Sequence, residues 1–586
     1  MTGDRLADLR GELRLQAVDG AIIPRADEHL GEYVPARAER LAWLTGFTGS
    51  AGLAAVTQNR AAVFSDGRYV LQLQAQTDGA LWERRHMVDE PAAAWLAATG
   101  ARRIGYDPWL ISEDGLKPYT DAGLEMVPLP RNPVDAVWEN QPPPPLGPAR
   151  PHALDVAGRA SSEKCAEIAA ALKAARQDAA VISDGASIAW LFNIRGNDVP
   201  FTPFALGFAI IDQQCHSILF MDGAKLSPET RAWLGNGVEL AEPAELAGRL
   251  GLLKGKRVRV DPNASPVWFG LTLRAAGAEV VAGMDPCLLP KACKNLVEQQ
   301  GSRHAHVRDA LAVSRFLYWL TTTAGTATEM SAAARLLALR AELPGFRGES
   351  FSAISGAGEH GAVIHYRVTP ESNRAIRPNE LYLIDSGAQY EDGTTDITRT
   401  IWTGPDAPPA LVRDRFTRVL RGHIAIDRLI FPVGVCGSHL DAFARSALWQ
   451  IGLDYDHGTG HGVGSYLSVH EGPVSLSRAA RPVPLAAGMI LSNEPGYYLP
   501  GSFGIRIENL LLVRAKDFPQ GGRPFLGFET LTWAPIDRQL IDVALLSAEE
   551  RSWVDRYHAR VLGLVAPHVD AEVAAWLHRV CAPLED

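Results

Sequence analysis

Two segments of this chain each set a pair of acids on strand-like runs that flank a turn, and burying like charges in pairs is a problem few folds solve. Leu381-Tyr382-Leu383-Ile384-Asp385 reads as one strand, and Thr394-Thr395-Asp396-Ile397-Thr398-Arg399-Thr400-Ile401-Trp402 reads as its partner. Glu391-Asp392-Gly393 supplies the turn between them. Pairing Ala388 with Gly393 sets Asp385 directly opposite Asp396. Downstream, Met489–Glu494 and Gly504–Glu508 flank Pro500-Gly501-Ser502, and a hairpin centred on Gly501 sets Glu494 opposite Glu508. Opposed residues hold their Cβ atoms about 4.5–5.5 Å apart on one face. Carboxylates that close repel at neutral pH unless positive charge lies between them.

His461 adds an imidazole. It stands in His457-Gly458-Thr459-Gly460-His461-Gly462-Val463-Gly464, where glycines let the backbone approach closely. Four carboxylates and one imidazole suit a pair of hard divalent cations. Taken singly, an Asp at a strand end is commonly a turn cap, and a His before Gly a loop residue. The two opposed acid pairs together point to a two-metal hydrolase.

A chain of 586 residues exceeds what one core can serve, and about three or four domains are expected. The net charge of −10, with no long Lys/Arg run, argues against nucleic acid or an anionic membrane as the main partner. The first residues, Met1-Thr2-Gly3-Asp4-Arg5-Leu6-Ala7-Asp8, carry charges where a signal peptide needs an apolar run. No apolar span reaches membrane length. Cys165, Cys215, Cys287, Cys293, Cys436 and Cys581 are scattered without a CxxC pair, so neither a zinc knuckle nor a disulfide framework is indicated. A reduced, cytoplasmic protein is the expectation.

Gln141-Pro142-Pro143-Pro144-Pro145-Leu146-Gly147-Pro148 favours extended polyproline II and reads as a linker. The regions on either side of it look like divergent copies. Leu41-Ala42-Trp43-Leu44 is echoed by Ile188-Ala189-Trp190-Leu191, and Phe64-Ser65-Asp66-Gly67 by Phe220-Met221-Asp222-Gly223, in the same order. Each copy mixes helical patterns with short apolar strands, so a small α/β domain is expected at 1–150 and another at 151–293. Val258-Arg259-Val260-Asp261 alternates like a strand late in the second copy. The region 294–586 opens with helical spacing from His304 to Leu320, continues with strand-like runs and helices near 411–430 and 438–451, and ends in a helical tail near 547–582.

The acid-bearing segments closely resemble the aminopeptidase P (Xaa-Pro aminopeptidase) family of pita-bread metallopeptidases. The likeness is carried by Leu383–Tyr390, Asp392–Thr400, the His457–Gly464 loop, His470-Glu471-Gly472-Pro473, Asn493-Glu494-Pro495-Gly496-Tyr497-Tyr498 and Gly504–Asn509. It extends weakly over the front half, which resembles the three-domain cytosolic type. The fold it implies is α/β (α+β), with two creatinase-like N-terminal domains ahead of a pita-bread catalytic domain.

The resemblance also implies roles. Asp385 chelates one metal, Asp396 and Glu508 bridge both, and His461 and Glu494 complete the second, with manganese as the usual ion. Glu494 doubles as proton shuttle for a metal-bridged hydroxide. His365 and His470 contact substrate near the scissile carbonyl, His457 lines the site, Arg506 supports the acids, and Tyr498 walls the proline pocket. His365 follows Val363-Ile364 and on its own could be a packed core histidine. The implied substrates are peptides with proline second, acted on by a cytoplasmic homodimer with no nucleic acid or membrane partner. The nearest alternative is a prolidase-like Xaa-Pro dipeptidase, which usually carries one N-terminal domain. A pita-bread domain kept only for protein binding typically loses ligands, and all five are present here.

Overall fold

Each strand of the first large sheet has a counterpart in a second sheet one copy later. The computed structural model describes residues 2–323, 325–479, 481–518 and 521–585. It divides into two compact units, Met1–Leu154 with Arg159–Leu288, and Asp155–Gly158 with Leu289–Asp586. The first unit holds two six-stranded sheets. One runs Glu83–His86, Ala61–Ser65, Leu53–Thr57, Gly20–Pro24, Arg103–Tyr106, Glu125–Pro128 across its width; the other runs Val238–Ala241, Ser217–Phe220, Phe208–Asp212, Ala179–Ile182, Arg257–Val260, Glu279–Ala282. In both, the first three strands in chain order pair antiparallel and the outer strands join parallel.

The echoed motifs fall at equivalent places. Leu41–Leu44 lies in the Arg40–Thr45 helix and Ile188–Leu191 in the Gly185–Leu191 helix, each after the first strand of its sheet. Phe64-Ser65 and Phe220 end the third strands. Shared topology and shared motif positions are what duplication predicts. The proline-rich segment forms no regular structure, and Gly147 N–H donates to Asp198 Oδ1 at 2.9 Å.

The longest helix of the second unit, Leu296–Thr323, extends the amphipathic stretch in both directions and buries Ala310, Val313, Phe316, Leu317 and Leu320. Each such Leu, Val or Phe contributes about 1.5–3 kcal/mol by leaving water. These side chains share a core with Tyr382, Ile384, Phe416, Leu420, Val554 and Val561. Two antiparallel sheets carry the acids. Leu381–Ser386 lies between Ile354–Ala357 and Ile397–Trp402. Ile490–Asn493 lies between Gly460–Gly462 and Asn509–Lys516 in a six-stranded sheet. The expected helices are Ala410–Asp427, Gly437–Trp449, Ala548–Val565 and Ala571–Val580.

The two hairpins behave differently. Around Gly501 the expected register holds: Asn493 pairs with Asn509 and Gly496 with Arg506, so Glu494 and Glu508 fall opposite one another between these ladders. In the first hairpin the expected register is displaced by two residues. Tyr390, not Ala388, pairs with Gly393, and Asp385 faces Thr398 rather than Asp396. The turn tightens to Glu391-Asp392 because the Leu296–Thr323 helix presses on it, and a Cβ on Gly393 would lie 3.0 Å from the Ala305 side chain. A shift of two preserves the face, since side chains alternate with period two. Asp385 and Asp396 still converge.

The helices behind the acids approach so closely that one needs a glycine. A Cβ on Gly422 would fall 2.0 Å from Ala444 O in the neighbouring helix. Alanine there would gain about 1 kcal/mol of helix propensity, and forcing the helices apart costs about 1–3 kcal/mol or more. Gly422→Ala is therefore expected to lower the midpoint of thermal unfolding. An unchanged or raised midpoint would mean that the helices part freely.

Candidate metal centre

Strand breaks, rather than strand middles, carry most of the acids. Asp385 is the penultimate residue of Leu381–Ser386, Asp396 sits in the gap before Ile397–Trp402, and Glu494 and Glu508 occupy the gaps of the second hairpin. A gap frees a side chain from the pleat, so acids from different sheets can converge. His461 is central in Gly460–Gly462. That strand lies flush against Ile490–Asn493 because residue 460 has no side chain: a Cβ there would sit 1.9 Å from Ser492 O.

The resulting cluster is tight. Ligand atoms of Asp396, His461 and Glu508 all lie within 4.8 Å of one another. His461 Nε2 is 3.5 Å from Asp396 Oδ2 and 3.4 Å from Glu494 Oε1. Its Nδ1 donates to Gly462 O at 3.0 Å, which turns Nε2 toward the acids. Ser492 ties the two sides together: it accepts from His461 N–H at 2.9 Å and donates to Glu494 Oε1 at 3.0 Å. Asp385 Oδ1 and Asp396 Oδ1 are buried with no hydrogen-bond partner. Buried carboxylate oxygens normally have one, and oxygens left over in a cluster of hard donors fit a divalent cation.

The electrostatics agree. Burial, together with the charges of Asp385 and Glu494, outweighs the His461 hydrogen bond and raises the Asp396 carboxyl to about 6. Burial and the neighbouring Asp396, Glu494 and Asp385 push Glu508 well above the usual carboxylate range. Burial lowers the His461 imidazolium, but the Asp396 hydrogen bond and the charges of Glu494 and Asp396 more than reverse this and bring it to about 9. The protein's own groups thus hold protons where a cation would serve better.

An outer ring of hydrogen bonds fixes the acids. Arg506 Nη2 donates to Asp385 Oδ2 at 2.6 Å, Nη1 to the Tyr498 hydroxyl at 2.6 Å, and Nε to Thr398 Oγ1 at 3.2 Å. Tyr498 in turn donates to His457 Nε2 at 2.9 Å, since His457 Nδ1 is committed to Gly458 O. His470 places its ring 4.3 Å from that of His461. His365 lies in a turn after the Gly358–Ala362 3-10 helix, and the carbonyl of its neighbour Ile364 accepts from Arg506 Nη1 at 3.5 Å. These contacts bring Asp385, Asp396, His461, Glu494, Glu508, Arg506, Tyr498, His457 and His470 together, and His365 is linked to them through the backbone of Ile364.

Several supporting residues were not singled out from the sequence. Thr398 donates to Glu508 Oε2 at 2.7 Å; its position two after Asp396 on one strand face was the available signal. Arg399, 2% exposed, donates to Glu508 O at 2.7 Å, Asn509 Oδ1 at 2.9 Å, Ala534 O at 2.9 Å, Pro535 O at 3.0 Å and the Tyr557 hydroxyl at 2.8 Å. His423, fully buried, contacts Asn493 O at 3.1 Å and Asn509 Nδ2 at 3.2 Å, bracing the residues beside both glutamates. A buried arginine or histidine shows no sequence pattern of its own.

Comparison with known proteins gives a consistent picture. Residues 300–515 match metallopeptidase family M24, and residues 524–584 match the C-terminal region of that family. Residues 5–129 and 140–298 each match a creatinase/prolidase N-terminal domain. The chain is 40% identical to Aminopeptidase P2 of Arabidopsis thaliana, an alignment covering 97% of this chain and 86% of the relative. It is 38% identical to "Probable Xaa-Pro aminopeptidase P" of Laccaria bicolor, covering 100% and 94%. The crystal structure of X-prolyl aminopeptidase from Caenorhabditis elegans, described as a cytosolic enzyme with a di-nuclear active site, superposes with a TM-score of 0.94 at 33% identity over 100% of both chains. With likeness running the full length, through both front sheets and the acid cluster alike, the chain belongs to metallopeptidase family M24, in its aminopeptidase P branch.

Proposed function

We propose that this protein is a metal-dependent aminopeptidase that hydrolyses the bond between an N-terminal residue and a following proline, releasing the first amino acid. The observation that carries this reading is the convergence of Asp396, His461 and Glu508, with Glu494 and Asp385 beside them, in a chain whose full-length relatives are aminopeptidases P. The front half is read as two domains, 1–150 and 151–293, ahead of the catalytic block 294–586. Full-length likeness to proteins named aminopeptidase P favours the aminopeptidase over the dipeptidase.

Two divalent cations are the cofactor, and manganese is the ion proposed. Asp385 would hold one, His461 and Glu494 the other, and Asp396 and Glu508 both; a set of mostly hard oxygen donors suits Mn2+. When bound, such a pair supplies Lewis acidity toward the scissile carbonyl and lowers the pKa of the attacking water.

The chain's own groups do the rest. Glu494, its side chain 17% exposed and 3.4 Å from His461 Nε2, takes the water's proton and passes it toward the proline nitrogen. His470 and His365 donate hydrogen bonds to substrate carbonyl oxygens as negative charge develops. His457 and Tyr498 wall the site, Tyr498 on the proline side, and Arg506 locks Tyr498 and Asp385 in one geometry. Proline's amide has no N–H and its ring fixes the backbone, so a site that reads shape rather than an amide hydrogen can prefer it. A cytoplasmic homodimer is the proposed setting. The worm enzyme described as cytosolic supports the location, and no described helix is long and apolar enough to cross a membrane.

The manganese-loaded protein is expected to release Xaa rapidly from an Xaa-Pro-Yaa tripeptide and to cleave the Xaa-Pro dipeptide poorly. The reverse preference would make it a prolidase. Asp396→Asn is expected to lose metal and activity together, and full activity in that variant would remove Asp396 from the ligand set. Glu494→Gln should lower kcat by about 10²–10⁴-fold, the usual worth of acid–base catalysis; a wild-type kcat would refute the shuttle.

Cation uptake should also release protons. Below pH about 9 the His461 ring is protonated, and burial with the neighbouring acids shifts Glu508 toward its protonated form. Both must give up protons to act as ligands, so apparent affinity rises with pH toward 9. Calorimetry at pH 7.5 in buffers of different ionisation enthalpy reads the proton count directly. Uptake with no proton release would contradict this arrangement.

A further inference from the structure

The turn that carries His365 is held from behind by one buried acid that the mechanism above does not use. Glu329 is the first residue of the Glu329–Ala341 helix and is 0% exposed. Its carboxylate gathers donors from along the segment between Ala357 and Arg374. Ala357 N–H donates to Oε1 at 2.8 Å, His360 Nδ1 to Oε1 at 2.8 Å, the Tyr366 hydroxyl to Oε2 at 3.1 Å, and Arg374 N–H to Oε2 at 3.3 Å. Entry, middle and exit of the segment therefore meet on one side chain. His360 must donate from Nδ1, because a carboxylate only accepts, and its ring packs against Tyr366 at 4.6 Å.

The segment also touches the strand that carries Arg506, the partner of Asp385. Ile364 O accepts from Arg506, and the Gly361 backbone lies against the Phe503–Arg506 strand so closely that a Cβ on Gly504 would fall 1.7 Å from Gly361 O. His365 stands between these two fixings, next in sequence to both Ile364 and the Glu329-bonded Tyr366. The Arg506 contact is long, at 3.5 Å, and the Gly361 contact limits approach without preventing retreat. Ala357 is paired with Tyr382 at the entry and Arg374 bonds Glu380 at the exit, while Glu329 takes a donor from the entry, the middle and the exit alike.

We propose that Glu329 is a positioning residue for the reaction: it holds the 357–374 segment so that His365 meets the substrate carbonyl. This rests on the role given to His365 above. Misplacing a catalytic group by about 1 Å can cost on the order of 10²-fold in rate.

The test is a double-mutant cycle on manganese-loaded full-length protein, combined with hydrogen exchange. Glu329→Ala is expected to lower kcat on an Xaa-Pro-Yaa tripeptide by about 10–100-fold with bound metal unchanged. In a His365→Ala background the same change should cost less than about threefold, because coupled residues are not additive. Amide exchange should rise across 357–374 and stay unchanged across 381–402. Glu329→Asp, which keeps the acceptor one methylene shorter, should recover part of the rate. Equal losses in both backgrounds, or loss of metal, would reduce Glu329 to a structural residue and overturn the proposal, as would unchanged exchange. Should Glu329→Ala not fold, Tyr366→Phe removes one donor, and a wild-type kcat and exchange pattern there would count against the anchor. A wild-type kcat for His365→Ala would instead overturn the role given to His365, while the exchange data would still judge whether Glu329 holds the segment.

Discussion

Four carboxylates brought together around one buried imidazole are the constraint around which the second unit is built. Buried like charges within a few ångströms raise one another's pKa until positive charge enters, and Asp396 and Glu508 show that pressure. A chain holding such a cluster must keep the acids from moving apart, since separation would relieve the repulsion. Arg506, Thr398 and Ser492 each hold an acid by hydrogen bond, and Arg399 and His423 hold the backbone behind Glu494 and Glu508. Such restraint costs stability unless every donor and acceptor in the ring is satisfied. Arg399 meets this condition with all three of its nitrogens engaged.

The glycines serve the same end. Gly460 and Gly504 stand where two backbones nearly touch, in the strands that carry His461 and Arg506. Without them the strands would stand off by about the width of a methyl group. The cluster is compact because of what these positions lack.

Much of this was legible in the sequence, and the unread part has physical reasons. The acid-bearing segments announced themselves by β-propensity and turn residues, and the hairpin around Gly501 took the register its turn implied. The other hairpin slipped by two because a helix some ninety residues upstream tightens its turn, and local pairing rules do not contain that helix. The error left the face intact, so Asp385 and Asp396 were correctly read as neighbours for a reason only half right. The front-half duplication was visible in two short motifs and proved to be a shared strand order. Arg399, His423 and Glu329 stayed invisible because their meaning lies in partners distant along the chain. Tyr557 is 158 residues from Arg399, and no periodicity links them.

That last separation bears on how the molecule comes into being. The strand bearing Arg399 follows Asp396 directly; Thr398 and Glu508 satisfy Nη1, but Nε donates to Pro535, and Nη2 draws on Ala534 and Tyr557 besides Asn509. A buried guanidinium without acceptors is too costly to hold in place. During synthesis the strand beside Asp396 therefore cannot reach its final packing until the segment through Tyr557 has left the ribosome. The last tenth of the polypeptide acts as a latch on work begun far earlier, and a nascent chain carries every acid of the cluster before it can use them.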